Sequence, residues 1–571
     1  MTTQMTAVPQ PPSESSPPTP ETGAAAVARV IADAGYDMMF GLPGGKTGFI
    51  SDEIHRQGRV RFVLVRHEQN ATIMADVYGR LTGLPGVALG QGVFIGSNGA
   101  IGIMEARMSS SPMLVLADST DGPGYAQHPI MQNGTGNYGS IDLPQIFDGM
   151  TKYFAYATTP KEAVQATQLG LKHAVLDRPG PSAVLVSAAA VEESLEDGSA
   201  PFIRPTASYL ARAVSWADPE AVARAARAIA RAQRPAIVAG NGVHVARAHD
   251  ELRRLAHRLG APVATSTKGR SAMSDEDELC LGLMGTFGRP DTDRALAEAD
   301  AVIVVGSRLS ALTTNRHNKG LIDPARQVLV QIDIEARNAG WAFPVEHALV
   351  GDAAATLRQL QSALEKELAG ENREPWFVPS PASEPAPVDG GLPTPQRIVD
   401  VLNDTLPANT LVTLDAGKNK HFTVHGYRAR TAGAMLVPGG IAPMGWAAPA
   451  AVAAKLLRPG RPCLAISGDG GFTMTTHALA TAVQQGVAPM FLVMNDSAMM
   501  WHELAGQAPY AAELSPVDFV PLARAYGADG VRVDDMAGLA KAIGVALQST
   551  KPFVIDVATD REASIDDIVK G

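Results

Sequence analysis

Hydrophobic and polar positions beyond residue 22 alternate regularly between helical stretches and short apolar runs. Residues 24–35 (AAAVARVIADAG) place apolar side chains at helical spacing and end at a glycine. Residues 37–42 (DMMFGL) and 113–118 (MLVLAD) are short apolar runs with turn residues beside them. Short runs that are apolar throughout are typical of strands buried on both faces. The pattern therefore predicts parallel strands covered by helices.

The same alternation recurs in three successive blocks, and a chain of 571 residues is too long for a single core. We therefore predict an α/β fold with three doubly wound parallel-sheet domains at residues 23–195, 215–370 and 395–571. In the second and third blocks the predicted strands are residues 235–240, 261–266, 301–306 and 328–334, and then 410–415, 463–468, 490–495 and 553–557.

Two segments lack this pattern. Residues 1–22 are rich in Pro, Ser and Thr and nearly free of large apolar residues, which predicts a disordered tail. Residues 371–394 contain a Pro-rich stretch, which predicts an extended linker between the second and third domains.

Composition excludes some classes of binding partner and indicates the cellular compartment. The formal net charge of −10 argues against nucleic acid or an anionic membrane as the main partner. The two cysteines, Cys280 and Cys463, form no disulfide framework. The sequence shows neither a signal peptide nor an apolar stretch of about 20 residues. We therefore expect a cytoplasmic protein.

A glycine-rich acidic motif in the third block carries the clearest chemical signal. A predicted strand ends in Gly468-Asp469-Gly470-Gly471, and the next strand ends at Asn495-Asp496, which places Asp469 and Asp496 27 residues apart. Neighbouring parallel strands end at one edge of a sheet, where ligands bind. Oxygen ligands suit Mg²⁺, and glycines let backbone N–H groups approach a diphosphate. The alternative interpretation is a tight strand-to-helix turn without a ligand.

This motif resembles the signature of the acetolactate-synthase-like superfamily of thiamine-diphosphate enzymes, in which GDG is followed by Asn-Asn. The present chain departs from the signature by having Asn495-Asp496. The resemblance implies Mg²⁺ ligation by Asp469, Asp496 and the carbonyl near Ala498, with Asn495 as the alternative ligand after a one-residue shift. It also implies contacts from Met499 and Met500 to thiamine diphosphate.

The segment VLVRHEQNATIMADVYGRLTG resembles the family's strand–RHE–helix segment. The resemblance implies that Glu68 hydrogen-bonds N1′ of the cofactor's aminopyrimidine and promotes deprotonation of C2 of the thiazolium. The alternative interpretation of Glu68 is a surface residue at a helix N-terminus, where the helix dipole favours a negative charge.

Two further segments of the third block resemble cofactor-binding loops of the family. MLVPGGIAPMGWAAPAA implies that Met444 supports the bent cofactor and that the Ala442 carbonyl accepts from its 4′-amino group; alternatively, Met444 is a core residue. LVTLDAGKNKHF implies diphosphate contacts from Ala416, Gly417, Lys418 and Asn419, although a lysine in this place can also be solvated.

The resemblance covers nearly the whole chain after residue 22, including the middle block. In some relatives that domain holds FAD or a CoA or ADP moiety, and in others it is empty. The sequence carries no decisive FAD determinant, so FAD is possible without being supported.

Several positions that face the substrate in the family depart from acetolactate synthases. The turn FGLPGGKTGF resembles the loop that lies over the thiazolium, so Gly45 is a candidate substrate contact. Lys46 replaces a small residue and is a candidate for binding a carboxylate or for acid–base catalysis, with a solvent-facing lysine as the alternative. The family's Gly-Pro-Gly turn is replaced by Val93-Phe94-Ile95, which adds bulk and makes Phe94 a substrate candidate.

Other polar residues supply candidates for substrate contact and proton transfer. His128, Gln132 and Asn133 lie in a polar segment that is longer than its acetolactate-synthase counterpart. His502 and Glu503 follow the metal segment and are candidates for transferring a proton to a reaction intermediate, with an exposed polar pair on a helix as the alternative.

The resemblance implies a thiamine-diphosphate- and Mg²⁺-dependent carboligase or decarboxylase that acts on a 2-oxo acid or related carbonyl compound. The first alternative is a C–C lyase or hydrolase on a 2-hydroxyacyl or acyloin substrate, and a flavin-dependent oxidase is a further one. A catalytically silent paralogue that binds the cofactor is the non-enzyme alternative. Sites of this family form between subunits, which implies at least a homodimer, with a homotetramer common among relatives.

Overall fold

The computed structural model of this chain describes residues 21–121, 131–137, 139–195, 203–210, 214–380, 391–499 and 511–565. Within these ranges the strands form three parallel sheets of six strands each, with helices between most successive strands. This architecture confirms the predicted α/β class with three doubly wound parallel sheets. The exact boundaries of the domains, the tail and the linker stay predictions.

The first sheet has the strand order β2-β1-β3-β4-β6-β5. Its elements are α1 Gly23–Asp33, β1 Met38–Leu42, α2 Thr47–Gln57, β2 Arg61–Leu64, α3 Glu68–Thr82, β3 Gly86–Gly90, α4 Gly92–Ser97, α5 Ala100–Ser109, β4 Met113–Asp118, α6 Leu143–Met150, β5 Tyr153–Ala157, α7 Pro160–Val175, β6 Pro181–Val186 and α8 Ala188–Glu192. The short helix α9 (Thr206–Tyr209) follows. β3, β4 and β6 are buried along their whole length, as strands covered on both faces must be.

The middle sheet has the order β12-β11-β10-β7-β8-β9. Its elements are α10 Pro219–Arg231, β7 Pro235–Ala239, α11 Asn241–Val245, α12 His249–Leu259, β8 Val263–Thr265, β9 Cys280–Leu283, α13 Pro290–Glu298, β10 Ala301–Val305, β11 Val328–Asp333, β12 His347–Val350 and α14 Ala353–Glu367. The strand order reverses between β7 and β10, and the carboxyl ends of strands at such a point form a crevice that binds ligands.

The third sheet repeats the order of the first, as β14-β13-β15-β16-β18-β17. Its elements are α15 Pro395–Thr405, β13 Leu411–Leu414, α16 Lys418–Gly426, β14 Met435–Leu436, α17 Ala447–Leu457, β15 Cys463–Gly468, α18 Asp469–Thr473, α19 Ala478–Gln485, β16 Met490–Asn495, α20 Phe519–Ala525, β17 Asp529–Val533, α21 Met536–Gln548 and β18 Phe553–Ala558.

The first and third sheets share one hydrophobic core, in which α3 packs against α17. Trp446 is fully buried at this contact, and its indole Nε1 donates to Asp76 Oδ2 over 3.1 Å. The guanidinium carbon of Arg80 lies 4.8 Å from the centre of the indole ring. This packing places the start of α3 close to the loop that precedes Trp446. In the described ranges, none of the helices combines the length and apolar character needed to cross a bilayer.

Candidate functional site

A cavity opens at the carboxyl ends of β13, β15 and β16, where the sequence predicts the diphosphate site. It is lined by Pro395, Ala416, Gly417, Lys418, Asn419, Met444, Gly468, Asp469, Gly470, Gly471, Met494, Asp496, Ala498, Met499 and Thr559. The structure therefore brings together the predicted cofactor residues from four separate segments. Of the remaining ones, Ala442 lines a neighbouring cavity, and Met500 lies outside the described residues.

Asp469 and Asp496 face each other across this cavity. Burial, and next the negative charge of Asp496, raise the pKa of Asp469 to about 7. Burial also raises the pKa of Asp496, although the Lys418 ammonium opposes the shift. Two buried carboxylates repel each other, and a divalent cation between them would offset that repulsion. Since no three His, Cys, Asp or Glu side chains among the described residues are grouped so that they could hold a metal ion, any further ligands must come from elsewhere, such as a backbone carbonyl or a diphosphate.

The side chains of Asn495 and Asp496 lie in different surroundings. Asn495 is the last residue of β16, and its buried Nδ2 donates to Asp556 Oδ1 over 2.9 Å. Asp556 is itself paired with Arg532, whose Nη1 lies 2.7 Å from Asp556 Oδ2. Asp496 instead lines the cavity and accepts from the Ala498 N–H over 3.2 Å. The geometry therefore favours Asp496 over Asn495 as the metal ligand.

The backbone around the cavity suits a bound diphosphate. Gly417 has φ 118° and ψ −172°, a conformation that a residue with a side chain rarely adopts, and helix α16 begins directly after it. The N-terminus of that helix directs N–H groups and a partial positive charge at the cavity. A Cβ on Gly471 would lie 2.6 Å from Asp415 Oδ2, so this approach also needs glycine. The acid pair, Asp469 and Asp496, and the glycine-lined backbone together fit the Mg²⁺ complex of a diphosphate.

Lys418, one of the predicted cofactor contacts, already has a partner within the chain. Its Nζ donates to the Arg561 carbonyl over 2.7 Å. The Lys418 charge also opposes the rise in the pKa of Asp496. Lys418 therefore adds positive potential to the cavity from this position.

Asp415, which the motifs did not single out, anchors the loop that carries Met444. It is fully buried at the end of β13 and accepts from the N–H groups of Gly445 (3.0 Å) and Trp446 (3.1 Å). Burial raises the pKa of Asp415 to about 6 despite these contacts. Met444 remains 37 % exposed at the cavity edge, which is not the environment of a core methionine. An acidic residue closing the apolar run 410–415 is the signal that could have revealed Asp415.

Glu68 is the first residue of α3 and lies at the carboxyl edge of the first sheet. It is only 6 % exposed, and Asn98 Nδ2 donates to its Oε2 over 3.0 Å. The His67 side chain caps the helix by accepting from the Gln69 N–H. Asn98 is a second residue that the motifs did not reveal, because its contact with Glu68 depends on the packing of α4 beside α3.

Gly45 and Lys46 lie in the turn between β1 and α2. Gly45 has φ 52°, and a Cβ there would lie 2.3 Å from Asp118 Oδ2. The buried Asp118 carboxylate accepts from the N–H groups of Lys46 and Gly92, so it links this turn to the start of α4. Lys46 Nζ forms an ion pair with Glu192, and both side chains are partly exposed.

The other predicted substrate residues lie nearby or outside the described ranges. Phe94 is 37 % exposed on α4, and Gln132 accepts from Gln91, which also borders the turn at Gly45. The Asn133 side chain accepts from the N–H and hydroxyl of Thr135, within its own turn. Outside the described residues lie His128, His502 and Glu503.

The candidate residues of the first and third sheets form two separate half-sites in one chain. Glu68, Gly45 and Lys46 follow strands of the first sheet at their carboxyl ends, just as the cavity lies at the carboxyl ends of the third sheet. Among the described residues, only residues of the third block line that cavity. Glu68 and Lys46 are therefore not among the described residues that line the cavity of the acid pair.

A larger cavity of about 450 Å³ lies where the strand order of the middle sheet reverses. Its lining includes Lys268, Arg308 and Asp333, together with Arg178 from the first block and Lys420 from the third. This is the position at which doubly wound sheets bind nucleotides. FAD in the middle domain nevertheless stays a prediction without a residue that singles it out.

Comparisons with known proteins agree with this architecture. Residues 21–136, 222–360 and 415–557 match the family models described as the N-terminal TPP binding domain, the central domain and the C-terminal TPP binding domain of thiamine pyrophosphate enzymes. Thiamine pyrophosphate is another name for thiamine diphosphate.

Curated relatives match along nearly the full length. The chain is 30 % identical to the acetolactate synthase large subunit of Parasynechococcus marenigrum, over 95 % of this chain and 88 % of the relative. It is 28 % identical to the probable acetolactate synthase large subunit of Methanocaldococcus jannaschii, over 94 % and 92 % of the two chains. Three parallel sheets, three matching domain models in order and full-length relatives together establish that the protein belongs to the thiamine pyrophosphate enzymes, in their acetolactate-synthase-like group.

Proposed function

We propose that this protein binds thiamine diphosphate together with Mg²⁺ and acts on the carbonyl group of a 2-oxo acid or related compound, which it decarboxylates, joins to a second carbonyl, or both. The observation that carries the proposal is the pair Asp469 and Asp496. The two carboxylates directly follow the neighbouring strands β15 and β16 of the third sheet and line one glycine-rich cavity.

The third-block half-site would hold the charged end of the cofactor. Asp469 and Asp496 would bind Mg²⁺, with the carbonyl near Ala498 as a further oxygen ligand. The backbone around Gly417 and at the start of α16 would receive the diphosphate. Met444, partly exposed at the edge of the cavity, would support the cofactor rings, while Asp415 holds its loop in place.

The first-block half-site would supply the proton chemistry. Thiamine diphosphate, when bound, supplies a nucleophilic carbon and an electron sink for chemistry beside a carbonyl. Glu68 would exchange a proton with the aminopyrimidine N1′, and Asn98 would orient the Glu68 carboxylate through its 3.0 Å hydrogen bond. Burial of Glu68 in a site that excludes water would strengthen this contact.

A second copy of the chain would complete each site. Glu68 follows β2 of the first sheet and the acid pair follows β15 and β16 of the third, and Glu68 is not among the described residues that line the cavity of the acid pair. Phe49 and Phe94 beside the first half-site, and Met444 and Met474 beside the second, are each more than a third exposed. Apolar side chains left exposed around both half-sites support a homodimer in which each copy covers the other.

Lys46 would give the site its preference for an acidic substrate. It replaces a small residue of acetolactate synthases, and it is held by a partly exposed ion pair with Glu192 and by the Phe49 ring, whose centre lies 5.8 Å from Nζ. Such pairs contribute about 0–1 kcal/mol, so a substrate carboxylate could displace Glu192 at little cost. The added cation would distinguish this site from that of an acetolactate synthase of branched-chain amino acid synthesis, which has a small residue at this place.

Calorimetric titration tests the proposal directly. Metal-free protein is titrated with thiamine diphosphate in the presence and in the absence of Mg²⁺, and binding that requires Mg²⁺ is the expected result. The loaded protein is then supplied with a panel of 2-oxo acids and acyloins, and released CO₂ and carbonyl products are measured. Absence of binding would contradict the proposal, and cleavage of acyloins without CO₂ release would identify a lyase instead.

A further inference from the structure

Glu105, on α5 of the first block, is a fully buried carboxylate that reaches into the third block. Its Oε1 accepts from the N–H groups of Gly439 (3.1 Å) and Gly440 (3.2 Å). Its Oε2 accepts from the N–H groups of Ile441 (3.0 Å) and Ala442 (3.2 Å). Four consecutive backbone N–H groups, some 335 residues away along the chain, therefore converge on one side chain.

The surroundings of Glu105 favour its charged form. Burial opposes ionisation, but the Arg80 guanidinium and next the Lys268 ammonium, with the hydroxyl of Ser109 and the loop N–H groups, hold the pKa of Glu105 below its ordinary value. Arg80 Nη2 lies 3.1 Å from Glu105 Oε1. Converging backbone N–H groups make a site for an anion, and here the protein supplies the anion itself.

The loop is shaped to fit this contact closely. A Cβ on Gly440 would lie 2.2 Å from Met108 Cβ, and one on Gly439 would lie 2.4 Å from Lys268 Cγ. These two glycines allow the backbone to reach the carboxylate. Ala442, the last residue of the group, is held at φ 51°, a conformation that costs free energy for a residue with a Cβ and persists only when its surroundings enforce it.

The same loop is held at its other end by Asp415, through the N–H groups of Gly445 and Trp446. Ala442 and Met444 therefore lie between two buried carboxylates, Glu105 of the first block and Asp415 of the third block. We propose that Glu105 is a positioning residue, which acts through this loop to place the Ala442 carbonyl and the Met444 side chain for binding the cofactor rings. The inference rests on the proposed function and adds to it a residue of the first block of the same chain.

The variant Glu105→Gln tests this role because it replaces one acceptor oxygen with an NH₂ group that confronts the loop donors. Hydrogen exchange of the 439–442 amides is measured first, in protein without cofactor. Losing a buried acceptor is expected to speed that exchange roughly 10- to 100-fold. Affinity for thiamine diphosphate with Mg²⁺ is then expected to fall by a similar factor, and the near-ultraviolet circular dichroism of the bound rings is expected to change.

Asp76→Asn is the matched control, because Asp76 is the other buried carboxylate on Arg80 but bonds the Trp446 side chain instead of the loop backbone. It is expected to leave loop exchange unchanged, and to leave unchanged the difference in dichroism between cofactor-bound and cofactor-free protein. Gly440→Ala disrupts the same contact from the side of the loop and is the substitute test if Glu105→Gln does not fold. It should reproduce the faster exchange and the weaker binding.

The outcomes separate the inference from the proposed function. Normal exchange, affinity and dichroism in Glu105→Gln would overturn the role of Glu105 while leaving the proposed function intact. Failure of the unaltered protein to bind the cofactor would overturn the proposed function, and the positioning role with it.

Discussion

Asn495 and Asp556 form a buried hydrogen bond of 2.9 Å, from Asn495 Nδ2 to Asp556 Oδ1. Asn495 ends β16, and side chains of successive residues in a strand point to opposite faces. Because Asn495 is committed to Asp556, the next residue, Asp496, is the one that lines the cavity with Asp469. In this chain the second residue of the pair is an aspartate instead of the family's asparagine, and this contact leaves that aspartate as the residue that faces the cavity.

The first prediction concerns the two residues of this motif. Asp496→Ala is expected to weaken Mg²⁺-dependent cofactor binding by roughly 100-fold or more, because it removes a metal ligand. Asp496→Asn should retain most of the affinity, since an amide oxygen can also bind Mg²⁺. Asn495→Ala should instead lower the free energy of unfolding by about 1–3 kcal/mol, because it leaves the buried Asp556 without one partner. Calorimetric titration and urea denaturation measure the two effects, and the reverse pattern would assign the metal to Asn495.

The second prediction concerns Glu68. Glu68→Gln is expected to lower kcat by about 10²- to 10⁴-fold, as expected for loss of a proton-transfer group, while the cofactor still binds. Asn98→Ala removes the hydrogen bond to Glu68 Oε2 and keeps the carboxylate, so it should cause a smaller loss. Turnover in Glu68→Gln equal to that of the unaltered protein would remove Glu68 from the mechanism.

The third prediction concerns Lys46 and its ion-pair partner Glu192. Lys46→Met should lower kcat/KM for acidic substrates about 10-fold or more, because the cation that binds the carboxylate is lost. Glu192→Gln breaks the same ion pair and keeps the cation, so kcat/KM should stay within about 3-fold. Neither change should unfold a protein in which this pair is partly exposed. Equal losses in both variants would show that only the ion pair matters.

The fourth prediction concerns Met444, which is 37 % exposed beside the cavity. Met444→Ala should weaken cofactor binding about 10-fold through loss of an apolar contact. It should change the free energy of unfolding of the cofactor-free protein by less than about 0.5 kcal/mol. Met39→Ala, at a fully buried position of β1, is the matched control and should cost about 2–5 kcal/mol without lowering affinity. A large stability loss in Met444→Ala would make Met444 a core residue.

The fifth prediction concerns the pH dependence of stability. Burial lowers the pKa of Lys268 to about 7, well below its ordinary value near 10.5, although Glu105 opposes the shift. Between these values the unfolded chain binds a proton that the folded chain does not, so stability rises with pH by up to about 1.4 kcal/mol per unit. Lys268→Met removes this contribution. Urea denaturation at pH 7 and pH 9 should show a smaller rise in Lys268→Met than in the unaltered protein, and an equal or larger rise would contradict the prediction.

Two strands of the third sheet show how closely the sequence predicted the secondary structure. The predicted runs 463–468 and 490–495 are the observed strands Cys463–Gly468 and Met490–Asn495. Strands buried on both faces need uninterrupted apolar residues, so their limits can be read from the chain. The acidic motif was visible for a related reason, since Asp469 and Asp496 follow directly after these two strands.

Asn98 and Glu105 could not be recognised in the same way. Each is a common polar residue whose importance comes from its partner: Glu68 for Asn98, and the 439–442 N–H groups for Glu105. Local sequence carries no trace of a partner that packing brings near from 30 to more than 300 residues away.

The sequence by itself determined the fold class, the order of the three sheets and the family, because these depend on local apolar periodicity and on motifs that follow strand ends. Only the tertiary structure decided that Asn495 turns to Asp556, that Lys46 pairs with Glu192, and that the described lining of the acid-pair cavity comes from the third block alone. Those outcomes depend on which distant surfaces pack together, and packing is a property of the whole folded chain.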